Sequence, residues 1–334
     1  MIKLTQKQSN AWYYLTDPSQ AHVKEILYGG FAGGGKSLLG CLWLDYMARQ
    51  YAGTRWLMGR SQLKNLKATT VNTYFEVLQM QGVPASAINY NQQSSIITYP
   101  NGSEIILAEL SYKPSDPLVT SLGGLELTGA FIDEAPEVNH KVIDTLSKSR
   151  IRYKLKQYGL SQKILYACNP TKNWAYKNFY KPHKSGLLIP SRKFIESSSL
   201  DNPHLPADYI QGLNALEDRG QRERLLYGNW DYDLNPARLM EFDPCSDVFT
   251  NSHVKSGLGY VTADIARFGQ DKTVIIVWSG YRAEKIVTID SSTLTYAADT
   301  IKTLATDNGI PMSRVICDED GIGCLLYTSP SPRD

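Results

Sequence analysis

The sequence lacks the features that mark secreted, membrane-spanning or zinc-binding proteins. It has only five cysteines, and no two of them have the CxxC spacing of common zinc and redox motifs. No apolar run reaches the ~18 residues that a transmembrane helix needs. The N-terminal segment MIKLTQKQSN has no apolar signal-peptide core. These absences predict a cytosolic protein that does not enter a membrane and whose thiols are reduced and buried.

A strong net charge is also absent. Lys and Arg together number 35 against 33 Asp and Glu, which gives a formal charge of +2. The overall charge therefore does not identify a nucleic-acid-binding protein, and any DNA contact would have to come from local basic patches. The chain length of 334 residues is enough for one large domain or two modest ones.

Strands and helices alternate over the first 230 residues. In chain order the predicted strands are 26–30, 54–59, 127–132 and 163–167, and the predicted helices are 36–51, 138–151 and 207–228. Two β-rich runs joined by Asn101-Gly102 predict a hairpin. This alternation favours an α/β domain with a largely parallel sheet over residues 1–230.

A second α/β domain is predicted over residues 257–324, after an irregular linker at 231–256 that contains two prolines. Its first strand begins near Gly257, and two further strands, a helix at 295–307 and a strand at 313–317 follow. The last residues, 325–334, read LLYTSPSPRD. We expect this Ser-Pro-rich tail to be disordered or foreign sequence at the end of a truncated reading frame.

Residues 30–37 (GFAGGGKS) match the phosphate-binding pattern G-x-x-x-x-G-K-[ST] without mismatch. Glycine lets the backbone wrap around a phosphate group, and the following helix adds its positive N-terminal end. Lys36 would reach the β- and γ-phosphates, and Ser37 would ligate Mg²⁺. A glycine-rich turn with an incidental lysine is the alternative. The nucleotide-binding candidates here are Gly30, Gly33, Gly34, Gly35, Lys36 and Ser37.

Two acids, Asp133 and Glu134, end an apolar strand about a hundred residues after this loop. Asp133 can hold Mg²⁺ through water, and Glu134 can polarise the water that attacks the γ-phosphate of ATP. Neighbouring side chains on a strand point to opposite sides, which suits two separate roles. A solvated acidic pair is the alternative.

Together these motifs resemble the terminase large subunit family of tailed phages, which supplies the motor of DNA packaging. Further likenesses are Tyr28-Gly29-Gly30 before the phosphate loop and Asn169-Pro170 after a strand, where the family has its coupling motif. The resemblance implies that Asn169 senses the γ-phosphate and couples hydrolysis to motion. A plain turn is the alternative for Asn169-Pro170.

Further residue roles follow from the same resemblance. Gln8, in the segment LTQKQ, would contact adenine, although a polar helix start explains it almost as well. Arg60 would contribute to the nucleotide site as an arginine finger, against the alternative of a structural ion pair. Arg150 and Arg152 are weaker finger candidates. Trp230, near the end of the ATPase region, is assigned to packing.

The second domain carries an acid on an apolar strand, Asp264, and another at a later strand end, Asp318. A desolvated carboxylate is costly unless it is paired or bound to metal. Two such acids could hold a pair of Mg²⁺ or Mn²⁺ ions that cut a phosphodiester. Structural acids in loops are the alternative. The resemblance identifies a partial RNase H-like nuclease with Asp264 and Asp318 as metal ligands, Asp271 as a supporting residue, and no counterpart of the family's third acid.

The predicted function is ATP-driven translocation of viral double-stranded DNA into a procapsid, with metal-dependent cutting of concatemeric DNA. The resemblance implies a portal protein, a small terminase subunit and a homo-oligomeric ring as partners, in the host cytoplasm. A helicase or recombination ATPase without nuclease, and a non-catalytic nucleotide-binding module, are the alternatives. Candidate DNA-contacting residues, which an amphipathic edge explains about as well, are Lys64, Lys67, Lys148, Arg150, Arg152, Lys154 and Lys156.

Overall fold

The computed structural model describes residues 2–113, 116, 119–198, 202–203, 205–232, 253–266, 272–289 and 293–317. The chain divides into two compact units, Met1–Pro236 and Ala237–Asp334, and each is described by itself. No helix within these ranges is both long and apolar enough to cross a membrane.

The first unit alternates strands and helices. Its strands are β1 (Glu25–Gly30), β2 (Arg55–Arg60), β3 (Asn89–Asn91), β4 (Ile96–Thr98), β5 (Glu104–Glu109), β6 (Gly129–Ile132), β7 (Lys163–Cys168) and β8 (Arg192–Ser197). Its helices are α1 (Gln6–Thr16), α2 (Lys36–Gln50), α3 (Leu63–Ala68), α4 (Thr70–Met80), α5 (His140–Thr145), α6 (Leu155–Tyr158), α7 (Lys181–Lys184), α8 (Ala207–Asn214) and α9 (Arg219–Leu225).

These strands form one sheet in the order β3-β4-β5-β2-β6-β7-β1-β8. The run of strands from β5 to β8 in this order is parallel, and the antiparallel pairs β3-β4 and β4-β5 close one edge. Ligands of open parallel sheets bind beyond the carboxyl ends of the strands. The first unit therefore has the predicted α/β architecture, and it brings the ends of β1, β2, β6, β7 and β8 to one edge.

Both faces of the sheet are covered, as its fully buried central strands require. On one face α2 packs so closely that a Cβ at Gly40 would lie 2.4 Å from the ring of Phe131 on β6. On the other face the rings of Trp174 and Phe179 pack edge-on against Tyr166 of β7 at centroid distances of 5.5 and 5.8 Å. The segment between β7 and β8 thus belongs to the layer opposite α2.

Some elements differ from the sequence prediction. The helix expected at 138–151 ends as an α-helix at Thr145 and continues as a π-helical turn, Leu146–Arg150. The helix expected at 207–228 is two helices, because Asp218 caps a new one by accepting from the amide of Gln221. Strand β8 was not predicted, since its sequence RKFIES carries three charges and it lies at a sheet edge.

The second unit has a sheet with the order β11-β10-β9-β12. Its elements are β9 (Gly259–Asp264), β10 (Thr273–Ser279), β11 (Arg282–Ile289), α10 (Leu294–Asp307) and β12 (Val315–Cys317). Strands β9, β10 and β11 pair antiparallel, whereas β12 runs parallel to β9. Ile301 and Leu304 of α10 join Val261 and Ile275 of the sheet in one apolar core. A second α/β region, as expected, is therefore present, while the exact domain and linker boundaries stay predictions.

Candidate nucleotide-binding site

The phosphate loop joins the end of β1 to the start of α2. Its backbone has a positive φ at two glycines, 132° at Gly30 and 70° at Gly35. A Cβ at Gly30 would lie 2.3 Å from the carbonyl oxygen of Ser197. Only glycine fits such a position, so the local sequence specifies the loop. Tyr28 also fixes it, by donating from its hydroxyl to the carbonyl of Gly34 at 3.0 Å.

The ammonium group of Lys36 lies inside this loop. It donates to the carbonyls of Phe31 and Gly30 and, at 3.3 Å, to Oδ1 of Asn169. Burial lowers the pKa of Lys36, and the charges of nearby acids, including Glu134 and Asp133, oppose that shift. The structure thus brings a cation and the amide of Asn169 into contact, although 133 residues separate them.

Asp133 follows β6 and is buried, although it lines the cavity described below. Its carboxylate accepts from the hydroxyl of Ser37 at 3.0 Å and from that of Thr70 at 2.7 Å. Burial raises the pKa of Asp133, and these hydrogen bonds oppose the shift. A buried carboxylate beside a hydroxyl is the oxygen donor set that Mg²⁺ prefers, so the residues fit that ion. Thr70 was not singled out by sequence, because a threonine at a helix start carries no specific signal.

Glu134 has a left-handed backbone, with φ 44° and ψ 48°, which is uncommon for a residue with a side chain. Its carboxylate accepts from Nδ2 of Asn169 at 3.3 Å. Burial raises the pKa of Glu134, and the neighbouring Asp133 adds to that shift. Asn169 therefore contacts both the phosphate-loop lysine and the second acid.

These side chains line one cavity of about 280 Å³. The lining residues with functional groups are Lys36, Ser37, Thr73, Asp133, Glu134 and Asn169. All of these except Thr73 were predicted from sequence. Their chemistry is that of a site for a metal-bound polyphosphate, with a cation, a hydroxyl-carboxylate pair and a further acid.

The observed contacts of Gln8 include those of the polar helix start, and its contact with adenine stays a prediction. With Thr5 it forms a capping box, in which each side chain bonds the backbone amide of the other residue. Its Nε2 also donates to the carbonyl of Gly35 at 3.0 Å. A second cavity of about 400 Å³ adjoins the loop here and is lined in part by Gln8, Leu38 and Met80. That position suits a base attached to a phosphate chain.

Arg60, at the end of β2, bonds residues outside the cavity. Its guanidinium forms two hydrogen bonds with Glu137, at 3.0 and 3.1 Å, and a third with Thr69. The ion-pair alternative therefore describes the observed contacts, and the finger role stays a prediction. Arg150 donates to the carbonyl of Gly123 at 2.7 Å, and Arg152 pairs with Glu126.

Sequence reasoning did not identify the helix α9 as part of this site. Arg224 donates from Nε to the carbonyl of Pro170 at 2.8 Å. The carbonyl of the next residue, Leu225, accepts from the amide of Ala32 in the phosphate loop at 2.9 Å. Trp230, which sequence assigned to packing, is buried and stacks on Tyr180 at 5.4 Å.

In the second unit, Asp264 ends β9 and is exposed. Ala263 pairs with Cys317, and these residues directly precede Asp264 and Asp318 in the sequence. Asp271 and Asp318 themselves lie outside the described residues, as does the tail 325–334. Within the described ranges no group of three or more potential metal ligands occurs. The nuclease therefore stays a prediction.

A glycine-rich loop between a buried parallel strand and a helix, with an acidic pair at a nearby strand end, defines a P-loop nucleotide-binding protein. The family model of the phage terminase large subunit matches residues 22–227, which is more than half of the chain. The chain belongs to the phage terminase large subunit family, and the predicted family is thereby confirmed.

Solved structures give the same fold. The large terminase of a thermophilic bacteriophage has a TM-score of 0.55 at 15% identity, over 98% of this chain and 80% of that one. The same phage protein in complex with ATP-gamma-S gives a TM-score of 0.54 at 15% identity, with the same coverage. The large terminase of bacteriophage HK97 has a TM-score of 0.50 at 12% identity, over 95% of this chain and 70% of that one. No curated protein sequence gives a significant match.

Proposed function

We propose that this chain is an ATP-hydrolysing motor that moves double-stranded DNA. The observation that carries the proposal is the side chain of Asn169, which contacts Lys36 and Glu134 at once. A protein that only binds nucleotide needs the lysine but not a half-buried acid, Glu134, held by an amide. An enzyme that hydrolyses ATP needs both, because it must bind the phosphates and orient the attacking water.

In this proposal the protein residues have distinct roles. The loop amides and Lys36 hold the phosphates, and Ser37 with Asp133 hold Mg²⁺, which when bound neutralises phosphate charge. Glu134 orients the water and accepts its proton, for which a raised pKa is useful. Asn169 holds the carboxylate of Glu134 in place, and Gln8 lies where the base of ATP would bind.

Charge distribution supports DNA as the partner. Residues 145–195 contain no Asp or Glu at all, although the whole chain is nearly neutral. The basic residues of this acid-free segment are Lys148, Arg150, Arg152, Lys154, Lys156, Lys163, Lys172, Lys177, Lys181, Lys184, Arg192 and Lys193. The part of the segment between β7 and β8 covers the sheet face opposite α2, and Lys177 and Lys181 are exposed there. Acids from outside the segment pair with some of these side chains, as Asp231 does with Lys184. The remaining excess of positive charge attracts the phosphate backbone.

The DNA-contacting residues predicted from sequence differ in how well they are placed to contact DNA. Lys148 and Arg152 pair with Asp144 and Glu126, and their side chains nevertheless remain 73% and 65% exposed. Both can therefore contact phosphate groups. Lys67, outside the acid-free segment, donates to the carbonyl of Gln92. We accordingly place the DNA contact on the acid-free segment.

We further propose metal-dependent DNA cutting by the second unit, with Asp264, Asp271 and Asp318 around Mg²⁺ or Mn²⁺. The support is the exposed carboxylate of Asp264 at the end of β9 and the pairing of Ala263 with Cys317. Nicking of supercoiled plasmid in either metal, lost in Asp264→Asn, is the expected result. Family membership supports a portal protein, a small terminase subunit and a ring of copies as partners in the host cytoplasm.

The motor proposal is tested by ATP hydrolysis with and without double-stranded DNA, in the wild type, Lys36→Ala and Glu134→Gln. We expect slow basal turnover that rises with DNA and is lost in both variants. Equal turnover in all three proteins would contradict the proposal. Binding of ATP without turnover in the wild type would favour the non-catalytic module, and ATP-dependent separation of a forked duplex would favour a helicase.

A further inference from the structure

Helix α9 contacts the loop that carries Asn169 through the side chain of Arg224. The guanidinium of Arg224 donates from Nε to the carbonyl of Pro170 at 2.8 Å and from Nη2 to the hydroxyl of Thr171 at 3.4 Å. The same hydroxyl donates to the carbonyl of Asn169 at 3.3 Å. Arg224 thus binds the two residues that directly follow Asn169, and one of them bonds Asn169 itself.

The same turn of α9 also contacts the phosphate loop. The carbonyl of Leu225 accepts from the amide of Ala32 at 2.9 Å. Three residues later, Gly228 lies so close that a Cβ on it would be 2.7 Å from the amide nitrogen of Phe31. Adjacent residues of one helix therefore contact the loop that bears Asn169 and the loop that leads to Lys36.

We infer that Arg224 is a positioning residue, which fixes the distance between Asn169 and the phosphate loop. Arg224 is not one of the described residues that line the 280 Å³ cavity. We therefore assign it an action through Asn169 and not on ATP. A guanidinium presents several donors in a rigid plane, which allows it to bind acceptors on two successive residues at once. The contacts of Asn169 with Lys36 and Glu134 are each 3.3 Å long, and a small loop movement would break them.

This inference rests on the proposed ATPase function. Loss of the guanidinium would leave the phosphate loop bound to Leu225 through backbone atoms, so ATP binding would change little. Asn169 would no longer be held against Glu134, so the chemical step would slow. The expected signature is therefore a fall in kcat at nearly constant KM.

The experiment compares kcat and KM for ATP in the wild type, Arg224→Ala and Arg224→Lys. Arg219→Ala is the matched control, because Arg219 is exposed on the same helix. We expect Arg224→Ala to lower kcat about tenfold with a change in KM below about twofold. Lysine can donate to Pro170 but cannot also reach Thr171 in the same plane, so Arg224→Lys should recover part of kcat. Arg219→Ala should match the wild type.

A double-mutant cycle with Asn169→Ala separates positioning from general stabilisation. If Arg224 acts through Asn169, adding Arg224→Ala to Asn169→Ala should lower kcat by less than about twofold. Independent, multiplicative losses would overturn the inference, as would wild-type kcat in Arg224→Ala. Should Arg224→Ala be too unstable to assay, Thr171→Val and Arg224→Lys carry the same cycle. Absence of turnover in the wild type would instead overturn the proposed function, and the inference with it.

Discussion

Arg60 and Glu137 form a doubly hydrogen-bonded ion pair at the carboxyl edge of the sheet, with N–O distances of 3.0 and 3.1 Å. The hydrogen bond to Glu137 raises the pKa of Arg60. The guanidinium is therefore charged and oriented, but towards Glu137. For Arg60 to stabilise charge on a transferring phosphoryl group, this pair has to open.

If the Arg60–Glu137 pair opens for catalysis, substitutions of its two residues should have opposite effects on kcat. Arg60→Ala should lower kcat for ATP at least about a hundredfold if the guanidinium acts as a finger. Glu137→Gln weakens the competing pair and should raise basal kcat, by roughly two- to fivefold. Steady-state ATP hydrolysis measures both. Wild-type kcat in Arg60→Ala would leave only the ion-pair role.

Asp45 is a buried charge with several partners. It is fully enclosed and accepts from Arg49, from the hydroxyl of Tyr99 at 2.9 Å and from Gln81 at 3.1 Å. Removing one side of such a network leaves the other groups without partners, so Asp45→Ala should lower the free energy of unfolding by about 3 kcal/mol. Urea unfolding measures this change. Glu217→Ala, at an exposed loop position, should change it by less than about 0.5 kcal/mol, and equal effects would contradict the prediction.

The ring of Trp230 occupies the space that a side chain on Gly29 would need. A Cβ at Gly29 would lie 2.5 Å from Cζ2 of Trp230, which is itself buried. Gly29→Ala should therefore destabilise the protein by about 1–3 kcal/mol through overpacking. Gly124→Ala is the control, because a Cβ there meets nothing within 4 Å among the described residues.

The smaller ring of Trp230→Phe should relieve part of the overpacking. The double variant should then be less destabilised than the sum of the two single changes. Thermal unfolding of the four proteins measures these differences. Additive losses would mean that the two residues do not compete for space.

Lys163 gives a pH dependence whose direction follows from its burial. Burial lowers the pKa of Lys163 to about 8, and its ammonium donates to the carbonyls of Gln20 and Val23. Between this pKa and the ordinary value of 10.5, the unfolded chain binds more protons than the folded chain at this group. The contribution of Lys163 to the free energy of unfolding should therefore rise with pH above about 8.

The comparison that isolates this effect is the Tm of the wild type minus that of Lys163→Met. This difference should be larger at pH 9.5 than at pH 7, because other groups titrate alike in both proteins. A constant difference over that range would contradict the lowered pKa of Lys163.

The acid-free segment predicts a salt-dependent loss of DNA affinity. Reversing charge in Lys177→Glu or Lys181→Glu should weaken DNA binding and make the plot of log K against log salt concentration less steep, by about one unit or more. Lys113→Glu reverses the same charge on an exposed loop outside the segment and should leave the slope unchanged. Fluorescence anisotropy with duplex DNA at several salt concentrations measures the slope. A slope equal to that of the wild type in all three variants would place the DNA contact elsewhere.

Sequence alone predicted the site wherever a residue type was required by chemistry or by backbone geometry. The phosphate loop could be read because Gly30 and Gly35 adopt conformations that only glycine accepts easily. Asp133 and Glu134 could be recognised because an acidic pair ends an apolar strand downstream of a complete phosphate loop. The strands β1, β6 and β7 could be read from their buried apolar runs.

What sequence missed depends on tertiary contacts of ordinary residues. Arg224 resembles any surface arginine of a short helix until the fold places it against Pro170. Thr70 has no signal before α4 is placed beside Asp133. The left-handed backbone of Glu134 and the pairing of Arg60 with Glu137 likewise follow from packing and not from local preference.

The position of β1 in the sheet has a consequence during synthesis on the ribosome. Among the described strands its neighbours are β7 and β8, although it precedes them by more than 130 residues. When the phosphate loop has just been synthesised, β1, the strand that precedes it, cannot yet pair with these neighbours. At about 5–20 residues per second, the second neighbour is made roughly 10–30 s later. The strand that leads into the phosphate loop therefore gains both of these neighbours only after most of the first unit has been synthesised.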